Sequence, residues 1–133
     1  MRIRRKFLQL TRNTIPYHTE DMMKKYLPKG IQMDEHGNYF MTVGENYSTM
    51  FTCHLDTASS YQRQVKHIQS ERYIHTDGKT ILGADDKAGM TVLLYMIENQ
   101  IPGLYYFFIG EEVGCIGSSA LAETFQHPSI MKV

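Results

Sequence analysis

The sequence predicts an α/β fold. Short runs of aromatic and β-branched residues, each the length of a strand, alternate with longer segments of helical character. The run 104–109 is apolar at every position, which is typical of a strand that is buried on both faces. Three apolar segments are each followed by a polar cluster. In an open α/β sheet such clusters meet at the carboxyl ends of the strands, where ligands bind.

The first thirty residues are predicted to form two helices. Apolar residues between Ile3 and about Thr11 have amphipathic spacing, with the arginines on a solvated face. Residues 19–27 have acids early and lysines late, and Pro28 follows the end. Glu20 lies in the first turn of this second helix. Its carboxylate could contact a substrate, but we interpret it as complementing the helix dipole.

From Gly30 onward the apolar period changes to two. Strands are predicted at 31–33, 39–43 and 49–53, separated by turns at 34–38 and 44–48. Two shorter strands, 65–68 and 73–75, contain His67 and His75, which we interpret as exposed histidines.

The third strand is followed by His54 and Asp56. Alternate residues of a strand project to the same side, so these two side chains can lie together if the extended geometry continues. A metal-bound His usually donates its other ring N–H to a carboxylate or carbonyl, and Asp56 is placed to accept it. By itself, a His-x-Asp sequence is more often an ordinary pair at a strand end.

Asp85 and Asp86 precede an apolar segment that is predicted to be a helix from Lys87 to about Asn99. One interpretation is a capped helix, because a helix N-terminus favours Asp. The other is metal binding, because His, Asp and Glu are ligands of divalent ions such as zinc.

Glu111 and Glu112 follow the apolar run 104–109, and a last helix is predicted over 114–122. Adjacent acids at the end of a buried strand are hard to explain as solubility residues, because an unpaired buried carboxylate is costly. Binding a metal would resolve that cost for Glu112. Glu111, if held away from the metal, could act as a base.

The composition argues against several classes of protein. The 133 residues form one domain or part of one, and the 14 basic and 14 acidic side chains cancel. Bulk charge therefore suggests neither a nucleic-acid nor an anionic-membrane partner. No apolar run is long enough to span a bilayer, and two cysteines do not make a disulfide framework. We predict a cytoplasmic protein.

Three motifs in this order resemble the co-catalytic zinc exopeptidases, a family that includes peptidase T, aminoacylases, carboxypeptidases and glutamyl-type aminopeptidases. The motifs are Cys53-His54-Leu55-Asp56-Thr57, Gly83-Ala84-Asp85-Asp86-Lys87-Ala88-Gly89 and Gly110-Glu111-Glu112-Val113-Gly114. The middle motif is most similar to that of peptidase T, and the resemblance runs from about Phe7 to the end. It implies a three-layer α/β/α fold with a mixed, mostly parallel central sheet.

The resemblance also implies a role for each site residue. His54 would bind one zinc, Asp85 would bridge two zinc ions and Glu112 would bind the other. Glu111 would be the general base and Asp56 would support His54. A cis peptide often follows the bridging Asp in this family. The implied reaction is hydrolysis of a peptide bond in a short peptide, or of an N-acyl amino acid, by a water shared between the metals. Cobalt or manganese could replace zinc.

One departure from the family is serious. Members supply two further ligands, an acid beyond the Glu-Glu pair and a His near the end of a much longer chain, and neither is evident. His127 is the only downstream His, and Ile130-Met131-Lys132-Val133 resembles the start of another strand. We expect residues 1–133 to be the N-terminal portion of a catalytic domain, incomplete at its C-terminus.

Three hypotheses follow. In the first, the missing ligands come from a complementing C-terminal segment or from a homo-oligomer, and the protein is a peptidase. In the second, the chain is a truncated, catalytically inactive metal-binding or interaction domain. In the third, it is a metal-free binding module whose acids are paired by Lys87 or by backbone N–H groups.

Overall fold

The computed structural model describes residues 2–45 and 47–126, which form helices alternating with strands. The helices are α1 (Ile3–Leu10), a 3₁₀ helix (Glu20–Tyr26), α2 (Ala84–Glu98) and α3 (Ile116–Thr124). The strands are β1 (Gln32–Met33), β2 (Tyr39–Val43), β3 (Met50–His54), β4 (His67–Gln69), β5 (Ile74–Thr76) and β6 (Gly103–Phe108). The predicted α/β class is confirmed.

The main sheet has the strand order β1-β2-β6-β3. Strand β3 runs parallel to β6, whereas β2 is antiparallel to both β1 and β6. The sheet is therefore mixed, as predicted. The resemblance implied a mostly parallel sheet, but within the described residues two of the three strand pairings are antiparallel. An apolar pattern shows which residues are buried but not the direction in which a strand runs.

Side chains of β6 alternate between two apolar layers. Tyr105 and Phe107 pack with the helices of one face, and Leu104 and Tyr106 pack with α3 on the other. The first layer includes the buried α2 residues Met90, Leu93, Leu94 and Ile97, together with Leu10 of α1 and Met23 of the 3₁₀ helix. Helices thus cover both faces of the sheet, which gives three layers.

Two local predictions differ from the structure. The second predicted helix is a 3₁₀ helix in which Glu20 and Met23 are buried, since residues three apart share one face in this geometry. His75 is exposed, as predicted, but His67 is half-buried and its Nε2 lies 2.8 Å from Thr11 Oγ1. His67 and Thr11 therefore tie the separate β4–β5 hairpin to the end of α1.

Other predictions concern the cysteines, membrane segments and the chain end. Cys53 and Cys115 are both free thiols. Within the described ranges, no helix combines the length and apolar character needed to cross a bilayer. His127 and the strand predicted at 130–133 lie outside the described residues.

Replacing Phe107 by alanine tests the central position of β6. The side chain is 0% exposed, so its loss leaves a cavity between sheet and helices. We expect Phe107→Ala to lower the free energy of unfolding by about 3–5 kcal/mol, measured by urea denaturation. Tyr73→Ala is the control, because Tyr73 is 69% exposed and its removal should cost less than about 0.5 kcal/mol. Equal losses would contradict this assignment of the core.

Candidate metal centre

His54 is the last residue of β3 and is oriented by Asp56. The backbone pairing with β6 continues one residue further, since Leu55 N–H donates to the Phe108 carbonyl at 2.8 Å. Nδ1 of His54 then lies 3.0 Å from the backbone oxygen of Asp56 and 3.3 Å from its Oδ1. These contacts leave Nε2 directed at the other acids. This is the arrangement that a His supported by a carboxylate requires.

Asp56 is fully buried, and both of its carboxylate oxygens are hydrogen-bonded. Glu111 N–H donates to Oδ1 and Glu112 N–H donates to Oδ2, each at 3.0 Å. Burial opposes ionisation, but the hydrogen bonds from His54 and from these N–H groups outweigh it and lower the pKa of Asp56. From the sequence, the adjacent glutamates were the carboxylates expected to be buried. They are half-buried, and of the acids around His54 the fully buried one is Asp56.

The two adjacent aspartates have different surroundings. Asp85 is 84% exposed at its side chain, and its Oδ1 lies 3.1 Å from His54 Nε2. Asp86 accepts a hydrogen bond from Gly89 N–H at 3.0 Å, as a helix-capping residue does. Both residues have non-helical backbone angles, and the peptide bond between them is cis, as the resemblance implied. Asp86 therefore caps the start of α2, and Asp85 faces His54.

The motif around these aspartates needs its two glycines. Gly83 has a φ of +71°, and a Cβ there would lie 2.9 Å from the Thr57 methyl group. A Cβ at Gly89 would collide with the Asp86 carboxylate that this residue's N–H binds. The spacing Gly-x₅-Gly is therefore set by the bend before α2 and by the cap.

Glu111 and Glu112 complete the cluster from the loop after β6. Glu111 Oε2 lies 3.7 Å from His54 Nε2, and its Oε1 accepts a hydrogen bond from the Cys115 thiol at 3.6 Å. His54, Glu111 and Glu112 can each offer one ligand atom within 4.8 Å of the others. One imidazole and several carboxylates fit zinc, cobalt or manganese. The residues present therefore fit a divalent metal ion.

The acids also control the protonation of His54. Burial of the ring opposes its charge, but hydrogen bonds to Asp56 and Asp85 raise the pKa of His54 to about 9. Burial raises the pKa of Glu112; His54 opposes this shift, and Asp85 and Glu111 reinforce it. The site thus attracts positive charge, which in the metal-free protein is a proton on the imidazole.

Lys87 does not pair these acids, although the third hypothesis allowed for pairing by Lys87 or by backbone N–H groups. Its side chain is fully buried, and its Nζ donates to the backbone oxygen of Leu55. Burial lowers the pKa of Lys87 to about 8, although Cys53 and nearby acids oppose the shift. The lysine ties α2 to the segment that carries His54 and Asp56.

Two supporting residues were not predicted from the sequence. Glu20 Oε1 accepts a hydrogen bond from Gly110 N–H at 3.1 Å, and Asn38 Oδ1 accepts one from Ile109 N–H at 3.2 Å. The only signal for Glu20 was an acid in a helical first turn. Asn38 had the character of an ordinary turn residue.

Comparison with known proteins agrees with the motifs. The chain is 32% identical to a tripeptidase from Staphylococcus aureus, with a TM-score of 0.68 over 94% of this chain and 40% of that one. It is 30% identical to aminopeptidase PepT from Bacillus cereus, with a TM-score of 0.73 over 90% and 39%. The resemblance to the peptidase T family is thereby confirmed.

The comparisons also show how much of each relative this chain covers. The uncharacterised protein YqjE of Bacillus subtilis is 45% identical over 78 residues, which cover 53% of this chain and 21% of the relative. The chain thus spans about a fifth of this relative and about two fifths of the solved structures. No family model matches.

Metal binding should release a proton from His54. Below its pKa of about 9 the imidazole is protonated, and a protonated imidazole cannot coordinate a metal. We therefore expect zinc affinity to rise with pH by up to about tenfold per unit and to level off near the pKa of His54. Calorimetry in buffers of different ionisation enthalpy counts the protons. His54→Gln should release one proton fewer, and equal proton release by the two proteins would contradict the assignment.

Proposed function

We propose that residues 1–133 are a single domain, the N-terminal portion of a metal-dependent exopeptidase, and that the complete site hydrolyses peptide bonds. The main observation behind this proposal is that three acidic residues surround the His54 imidazole. Its Nε2 lies 3.1 Å from Asp85 and 3.7 Å from Glu111, and its Nδ1 faces Asp56. The tripeptidase and aminopeptidase named above support peptide hydrolysis as the reaction class.

In this proposal the ligands are His54, Asp85 and Glu112. Zinc is the expected ion, with cobalt or manganese as alternatives. Such ions supply Lewis-acid polarisation of a carbonyl group and lower the pKa of water when they are bound. By the resemblance to the zinc exopeptidases, Asp85 would be the ligand shared by two ions, and its exposed carboxylate lies beside the imidazole.

Glu111 is proposed as the general base. Its carboxylate is half-buried beside His54 Nε2, so it can take a proton from the attacking water and return it to the leaving amine. Asp56 would hold His54 in one tautomer through Nδ1. It also fixes the backbone N–H groups of both glutamates. The substrate proposed is a short peptide or an N-acyl amino acid.

The remaining ligands would come from a complementing C-terminal segment or from a second copy of the chain. Three ligands shared by two ions are too few for two catalytic sites, since each catalytic zinc usually has three protein ligands. On α2, Val92 and Tyr95 expose apolar surface that a further segment could cover. We also propose a cytoplasmic location, which the two free thiols support.

Separate substitutions of the two adjacent glutamates test the proposed roles. Glu112→Gln should lower zinc affinity about 10–100-fold, as Asp85→Ala should, because each removes a ligand. Glu111→Gln should leave affinity within a few-fold. With the complementing segment present, it should lower the rate of tripeptide hydrolysis at least about 100-fold, because it removes the base. Metal analysis and competition with a chromophoric chelator measure affinity on the same samples.

Glu123→Gln is the matched control, since this exposed acid on α3 belongs to no part of the site. Equal losses of zinc affinity in Glu111→Gln and Glu112→Gln would overturn the division of roles. An unmodified chain that binds no zinc even with the complementing segment present would overturn the metal centre itself.

A second candidate function is a catalytically inactive metal-binding or interaction domain of the same fold. It is favoured by the small number of ligands in the described residues. Two bound ions with tripeptide hydrolysis would exclude it. Bound zinc without hydrolysis, in the presence of any complementing segment, would favour it over the peptidase.

A further inference from the structure

Four consecutive backbone N–H groups at the exit of β6 all donate to side-chain oxygens. Ordinarily the residues after a strand bond to water or to a neighbouring backbone. Here the acceptors come from three separate parts of the chain. The pairs are Ile109 with Asn38 at 3.2 Å, Gly110 with Glu20 at 3.1 Å, and Glu111 and Glu112 with the two oxygens of Asp56 at 3.0 Å each.

Glu20 is the unexpected member of this set. It is 4% exposed, although it lies at the start of a short 3₁₀ helix where an acid normally faces solvent. Its neighbour Asp21 occupies the same first turn and is exposed. If the two acids only complemented the helix dipole, there would be no reason to bury one of them. A buried carboxylate is tolerated when it accepts hydrogen bonds, and Glu20 accepts one from Gly110.

The Gly110 N–H immediately precedes the two residues that enter the site. Its position, together with the Asp56 contacts, fixes the backbone from which the Glu111 and Glu112 side chains extend. Glu20 is 90 residues away in sequence, so the contact couples the beginning of the chain to the loop after β6.

We propose that Glu20 is a positioning residue for the metal centre, acting through Gly110 N–H on Glu111 and Glu112. This inference rests on the proposed function, because positioning matters only if the two glutamates serve the metal and the substrate. Glu20 is not part of the group of His54, Glu111 and Glu112 whose ligand atoms lie together. It acts by restricting the loop, and a charged acceptor makes a stronger hydrogen bond than a neutral one.

Three variants separate positioning from a dipole effect. Glu20→Met keeps the volume and removes the acceptor, whereas Glu20→Gln keeps an acceptor oxygen and removes the charge. Asp21→Asn is the matched control in the same turn. The first measurement is the Gly110 amide in ¹H–¹⁵N spectra of the metal-free chain. Its hydrogen exchange should be about tenfold faster or more in Glu20→Met, and its proton resonance should move upfield in Glu20→Gln.

The second measurement is zinc affinity by chelator competition. We expect about a 10–100-fold loss in Glu20→Met, recovery to within about threefold of the unmodified chain in Glu20→Gln, and no change in Asp21→Asn. Equal losses in Glu20→Met and Asp21→Asn would indicate a dipole effect and overturn the inference. So would unchanged Gly110 exchange in Glu20→Met. If that variant does not fold, an unshifted Gly110 resonance in Glu20→Gln overturns it instead.

These outcomes are distinct from failure of the proposed function. An unmodified chain that binds no zinc but shows a protected Gly110 amide would overturn the metal centre, and with it the positioning role, while the hydrogen bond itself stood. Zinc binding with an unprotected Gly110 amide would overturn the role of Glu20 alone.

Discussion

The Asp56 carboxylate is the contact on which the rest of the site depends. It is fully buried between the ends of β3 and β6, and it contacts His54 and two backbone N–H groups at once. A carboxylate in this position is stable only while these partners remain, because an unpaired buried charge is costly. The same bonds that satisfy Asp56 therefore hold the imidazole and the two glutamates at fixed relative positions.

The parallel pairing of β3 with β6 explains why one carboxylate can do this. Parallel neighbours end at the same edge of a sheet, so His54 and the loop after Phe108 lie side by side. Helix α2 begins at this edge, with Lys87 bonded to Leu55 and Asp85 facing the histidine. Two strand ends and one helix start thus supply the whole cluster from three distant stretches of sequence.

Concentrating acids at this edge has an electrostatic consequence. Asp85, Glu111 and Glu112 surround a buried imidazole, and the site attracts a proton or a metal ion. Exposure of Asp85 and partial exposure of the glutamates reduce their mutual repulsion through solvent screening. The site thus has a buried, fully hydrogen-bonded support at Asp56 and an acidic surface that is open to ligands.

The sequence by itself determined the α/β class, most element positions and the set of candidate residues, because strand and helix periods and short motifs are local. It also indicated that His54 and Asp56 would project together, since two-residue spacing in a strand places side chains on one side. Only the tertiary structure decided the antiparallel pairing of β2 with β6, the choice of Asp86 as the cap, and the burial of Glu20 against Gly110. Each of these depends on which backbone group lies opposite a side chain in the folded chain, and no local pattern encodes that.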